Sequence, residues 1–179
     1  MMGWKSVSRF WFKECTPKQW FTKSKSLDAK VRKRFLKTYW AVARGETAHW
    51  RTTPKGRLAE IIVLDQFARN TFRGKAQAFA YDFLALALAQ EALRARADKS
   101  MNKQERMFLY LPFMHSESKK IQRESVRLFK KLGHKEALWF AKDHKKVIDR
   151  FGRFPHRNKT LGRKSTPEEK KLMRTHKGY

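Results

Sequence analysis

Three short stretches of this 179-residue chain carry side chains able to do chemistry. The first, RFGRFPHRN (150–158), sets Arg150, Arg153, His156, Arg157 and Asn158 among two phenylalanines, a glycine and a proline. Gly152 can adopt the left-handed conformation that ends a helix, and Pro155 pushes Phe154 out of helical geometry. Phe151 and Phe154 can then pin the turn to the core. Planar guanidinium donors on so braced a loop suit two-point recognition of phosphate or carboxylate. The second stretch, LDQFARNTFR (64–73), places Asp65 and Arg69 on the apolar stripe of Leu58, Ile61, Ile62 and Phe72. A carboxylate on an inward face needs a partner, and Arg69 lies one helical turn away. The pair is either an internal ion pair or a device that aims Arg69 at a ligand. The third stretch, PFMHSES (112–118), offers His115 and Glu117 for acid–base work. The same residues can instead belong to a helix start, with Ser116 or Ser118 as N-cap. His144 sits in the middle of a stripe formed by Phe140, Ala141, Val147, Ile148 and Phe151, six residues before the arginine loop.

Asp65, His115, Glu117 and His144 are thus the candidate catalytic side chains. Arg69, Asn70, Arg73, Arg150, Arg153, His156, Arg157 and Asn158 are candidate ligand contacts. Asp65 and Glu117 cannot neutralise so many arginines, which predicts a net positive cavity. His115, Glu117 and His144 have the right atoms for a metal, but neighbouring arginines disfavour a cation, so neither metal nor cofactor is expected. No phosphate-binding glycine loop, dinucleotide fingerprint, nucleophile elbow or zincin motif occurs. The one cysteine, Cys15, reads as a small residue near the N-terminus and rules out an intramolecular disulfide, as suits a reducing cytoplasm.

The elements that must position these groups read as helix after helix. Val31, Phe35, Tyr39 and Val42 mark one helix over 27–44. Thr53 followed by Pro54 starts the next. Residues 75–97 predict one long Ala/Leu-rich helix, residues 102–115 one disturbed near Pro112, and 118–132 and 135–150 two more around Gly133. STPEEKKLM predicts a last helix opened by a capping box of Thr166 and Glu169. No strand alternation competes, and the chain is expected to form a single all-α domain over residues 1–179, built of stacked helical hairpins.

The charge is +27, from 43 basic and 16 acidic side chains. Such an excess attracts polyanions, but the lysines are scattered along helix faces, so weak, nonspecific, salt-sensitive adhesion is expected. The most apolar stretch, AFAYDFLALALA (78–89), contains Asp82 and is too short to span a bilayer; no membrane segment or targeting signal is expected.

GRLAEIIVLDQFARNTFRG, FLYLPFMHSES and RFGRFPHRNKTLGRKSTPEE together resemble the bacterial domain-of-unknown-function family numbered 924, with FWF (10–12), WF (20–21) and the terminal THKGY in agreement. The resemblance covers essentially the whole chain. It implies a right-handed array of antiparallel helical hairpins similar to tetratricopeptide-repeat proteins. It also implies that the motif residues already named, with Gln66, Ser116, Gly152, Pro155 and Arg163, form the shared site, Arg163 joining the ligand contacts. The chain departs from the family at Thr22-Lys23-Ser24, where many relatives end on an acidic residue, and in its far more basic surface. The functional expectation is a pocket for a small anionic ligand or an acidic peptide. The alternatives are a hydrolase or phosphoryl-group enzyme using the same His and Glu side chains, and a nucleic-acid-binding or protein-interaction module.

Overall fold

Each sequence start signal closes a hydrogen bond in the computed structural model, which describes residues 1–176 and Gly178. Lys177 and Tyr179 of the THKGY motif lie outside the described residues. Thr53 Oγ1 accepts from the Gly56 amide at 3.0 Å and opens α4 (Pro54–Ile62). Thr166 and Glu169 form the capping box of α10 (Pro167–Thr175). Ser118, rather than Ser116, caps α8 (Lys119–Leu132). Gly133 and Gly152 end α8 and α9 (Lys135–Phe151) at φ of 68° and 70°, a conformation that costs a glycine nothing.

The other helices are α1 (Trp4–Arg9), α2 (Pro17–Phe21), α3 (Lys25–Ala43), α5 (Ala68–Thr71), α6 (Asp82–Arg94) and α7 (Lys103–His115). No strand occurs among the described residues, and the fold is all-α. α7, α8 and α9 pack each against the next, while α4 lies against α1, α6 and α7. One large apolar cluster joins Phe10, Trp11, Phe35, Phe67 and Phe108, and a small second one joins Val147, Ile148 and Phe154. Ring pairs such as Phe35–Phe67 at 4.7 Å and Trp11–Phe108 at 5.5 Å tie distant helices together.

One element differs from the sequence reading. The helix expected over 75–97 is broken: a 3₁₀ turn, Ala76–Phe79, precedes Tyr81 at φ −118° and ψ 22°, and α6 begins at Asp82. The break places Asp82 in the first turn of α6, where a carboxylate complements the helix dipole. α7 has the expected extent and runs through Pro112 to His115.

Candidate functional site

Asp65 owes its position to a local widening of the helix. After Ile62 the chain makes a π-helical turn, Val63–Phe67, in which the Ala68 amide reaches back to the Val63 carbonyl. All five residues of that turn are buried, so neighbours Asp65 and Gln66 both turn inward and Gln66 Nε2 donates to Asp65 Oδ2 at 2.6 Å. Such turns are a recurrent device for placing side chains that a regular helix would send outward.

Asp65 Oδ1 receives two further groups. His115 Nδ1 lies at 2.7 Å and Arg69 Nη1 at 3.2 Å. Burial works to raise the Asp65 carboxyl, but Arg69 and His115 outweigh it and hold it well below the usual carboxylate range. Burial likewise pulls the His115 imidazole down, against the opposing pull of Asp65, so the ring is neutral at pH 7. A neutral ring facing an ionised carboxylate must carry its proton on Nδ1, which leaves the Nε2 lone pair as the ring's basic atom. The His115 side chain is 14% exposed, against 1% for Asp65.

The arginines are matched one by one. Arg69 donates to Asp82 through two bonds of 2.9 and 3.0 Å, and Arg157 donates to the same carboxylate at 3.1 Å and to the His115 carbonyl at 3.1 Å. Burial alone would lower Arg69, yet Asp65 and Asp82 raise it above the ordinary arginine value. Arg157 is more deeply placed, its guanidinium 4.7 Å from the Phe79 ring and 4.6 Å from that of Phe154; burial brings it down to about 10, so it stays a cation at neutral pH. Arg163 makes a two-point pair with Glu117, which also accepts from the Phe154 amide at 2.8 Å. Arg153 pairs with Glu169, and Asn158 donates to the same carboxylate. Asn70 and Arg73 both donate to Asp28 on α3.

The stretches around Asp65, His115 and Arg157 therefore meet in space, joined by direct hydrogen bonds. Asn70 and Arg73 face α3 instead, and Arg150 stands exposed over Phe151. His144 is buried with Nδ1 2.8 Å from the Phe140 carbonyl, its ring 6.3 Å from His115 and 5.5 Å from Phe154; burial and His115 push it down to about 2. His156 is pushed down to about 3 by burial and Arg157. Glu117 is engaged at both oxygens, so its place is to brace the loop. No group of three His, Cys, Asp or Glu side chains among the described residues can hold a metal ion.

The expected surplus of positive charge in this region is not there. Asp28, Asp82 and Glu169 supply the missing carboxylates, from α3, α6 and α10. Asp28 and Asp82 lie outside the motifs, and Glu169, at the end of the last one, reads from sequence as a helix cap. Asp82 had left a signal, a lone acid within an apolar run, and Phe79 beside it left none.

No curated protein matches the chain. It is similar to the protein of unknown function ATU0120 from Agrobacterium tumefaciens, at 38% identity over 97% of each chain with a TM-score of 0.92. The model of the family described as "Bacterial protein of unknown function (DUF924)" matches residues 7–177, so the chain belongs to that family.

Proposed function

We propose that the chain is an acid–base enzyme whose working group is His115, oriented by Asp65, acting on a small polar substrate that carries an acidic or anionic group. The observation that carries this is the 2.7 Å contact of His115 Nδ1 with a carboxylate that Arg69 keeps ionised. Asp65 is occupied by Gln66, Arg69 and His115, so it positions the imidazole and does not itself exchange protons. Nε2 is the atom that meets substrate. It can take a proton from a hydroxyl or a water, the step that hydrolysis of an ester or phosphoester requires.

Arg69, 20% exposed, borders the imidazole and is the natural contact for a substrate anion. That anion must compete with Asp82 for the guanidinium, so binding is weaker than the arginine content suggests. Charge matching thus favours proton transfer over a plain anion pocket.

The test pairs nitrogen-resolved NMR of the histidines with a hydrolysis screen over carboxylic and phosphoric esters. The expected tautomer of His115 has its proton on Nδ1. Activity should rise with pH through a value below the usual histidine range and then stay flat, fall about 100-fold or more in His115→Gln, and fall less in Asp65→Asn. A His115 proton on Nε2, or a folded His115→Gln protein of unchanged activity, would refute the assignment.

A further inference from the structure

The outer face of α9 carries a different chemistry. Trp139 is 61% exposed and Phe140 39%, their rings edge to face at 5.0 Å. Trp139, Lys142, Lys146 and Arg150 follow one another at intervals of three, four and four residues and so run along one side of the helix. All four are exposed, while Ala141, His144, Val147 and Ile148 on the opposite side are buried. Four residues of α-helix rise about 6 Å, close to the separation of successive phosphates in an extended strand.

The cations open onto a shallow groove of about 600 Å³ lined by Val126, Lys142, Lys145, Lys146, Asp149 and Arg150. Its one carboxylate, Asp149, is taken by Lys145. Lys142, Lys146 and Arg150 have no carboxylate partner among the described residues. This contrasts with the paired arginines of the interior.

We infer that this face binds single-stranded nucleic acid, with Lys142, Lys146 and Arg150 along the phosphates and an unpaired base stacked on Trp139. Charge complementarity selects a polyanion, and the exposed ring selects a strand whose base faces are free, which a duplex does not offer. A bilayer fits less well. The apolar side of α9 is already buried, and only two rings project from the basic side, so there is no apolar face to insert. The assignment does not depend on the Asp65–His115 pair, which lies on the inner side of the helix layer.

The experiment measures anisotropy of labelled oligothymidine and oligouridine against salt. The Lys142→Gln, Lys146→Gln, Arg150→Gln triple variant should flatten the salt slope by about 2, since each phosphate contact on a single strand contributes about 0.7. Trp139→Ala should weaken binding about 10-fold and Trp139→Tyr much less. Arg32→Gln, Lys33→Gln, Lys37→Gln removes the same charge from the other basic groove, near Met1 and Met2, and should do little. Comparable affinity for both strands supports a phosphate-and-stack site; strong preference for uridine adds a contact to the ribose hydroxyl. Equal losses in the two triple variants with no effect of Trp139→Ala would overturn the assignment in favour of diffuse charge. Tighter binding to vesicles of anionic lipid, lost in Trp139→Ala, would overturn it in favour of a membrane surface.

Discussion

Replacing Asp82 by Asn should unfold this protein at a much lower temperature, although the change keeps the shape of the side chain. Asp82 accepts two bonds from Arg69 and one from Arg157. Arg157 is 8% exposed and would face a neutral amide in place of the carboxylate, with the His115 carbonyl as its other acceptor and its Nε already lacking a partner. Removing one member of a buried ion pair costs about 3–5 kcal/mol. Asp82 is 18% exposed and Arg69 keeps Asp65, which places the cost at the lower end, about 3 kcal/mol. For a chain of this size that is a fall of about 6–12 °C in Tm. Calorimetric melts at neutral pH measure it, with Glu91→Gln as control, since the Glu91–Arg94 pair is exposed and should leave the melt unmoved. Arg157→Met added to Asp82→Asn should cost less than the sum of the two, because methionine leaves no buried charge behind. An Asp82→Asn melt no lower than that of Glu91→Gln, or strict additivity with Arg157→Met, would show that Arg157 does not depend on Asp82.

Gly56→Ala tests backbone packing: a Cβ there would sit 2.0 Å from the Trp50 carbonyl oxygen, so Tm should fall despite the better helix propensity of alanine, and a rise would refute the close approach. His144 should make the fold acid-sensitive. Its folded pKa of about 2 lies below the unfolded value, so the unfolded chain binds the extra proton and stability is lost as pH falls below about 6.5. Urea melts at pH 7 and pH 5 should show wild type losing about 2 kcal/mol more than His144→Phe, and equal losses would contradict a neutral buried ring. Glu117 is shifted down as well, by pairing and not by burial. Burial opposes it, but Arg163 and the Phe154 amide hold its carboxyl below the usual range, so its contribution is present at neutral pH and lost as pH drops through that lowered value. Glu117→Gln should cost about 1–2 kcal/mol at pH 7, and the gap should close in acid; a constant gap would show packing alone.

Local signals gave away most of the architecture. Thr53–Pro54, Thr166 with Glu169, Gly133 and Gly152 act within one turn of their own position, and each does in the structure what its chemistry dictates. The inward-facing Asp65 and Arg69 were legible for the same reason, because their spacing shows on the helix stripe. What escaped was any partner far along the chain. Asp28 meets Arg73 across 45 positions and Asp82 meets Arg157 across 75, and no periodicity encodes such a meeting. The π-helical turn at Val63–Phe67 was likewise hidden, since its i+5 bond leaves no mark on residue type. The break before Asp82 followed from the same blindness: Ala and Leu favour helix throughout 75–97, and tertiary pairing of Asp82 overrode that preference.

The charge of this molecule is divided between two populations that should answer differently to salt. Acids are scarce, 16 against 43 bases, and among the described residues only Glu136 and Glu168 lack a hydrogen bond or ion pair through the carboxylate. Nearly every acid therefore holds a chosen partner, and the buried ones, Glu60, Asp65, Glu105 and Glu169, all hold cations. The remaining positive charge must lie outside, where cations repel one another across solvent. Salt screens exposed charges beyond about 8 Å at physiological strength and leaves buried pairs nearly untouched. Raising sodium chloride from about 20 mM to about 500 mM should thus raise Tm by relieving surface repulsion, while the His115 titration followed by NMR stays where it was. A Tm that falls with salt would mean that exposed pairs hold the fold together. A His115 titration that moves with salt would place its ring in the field of the surface lysines, and the Asp65 dyad would lose its claim to set the proton.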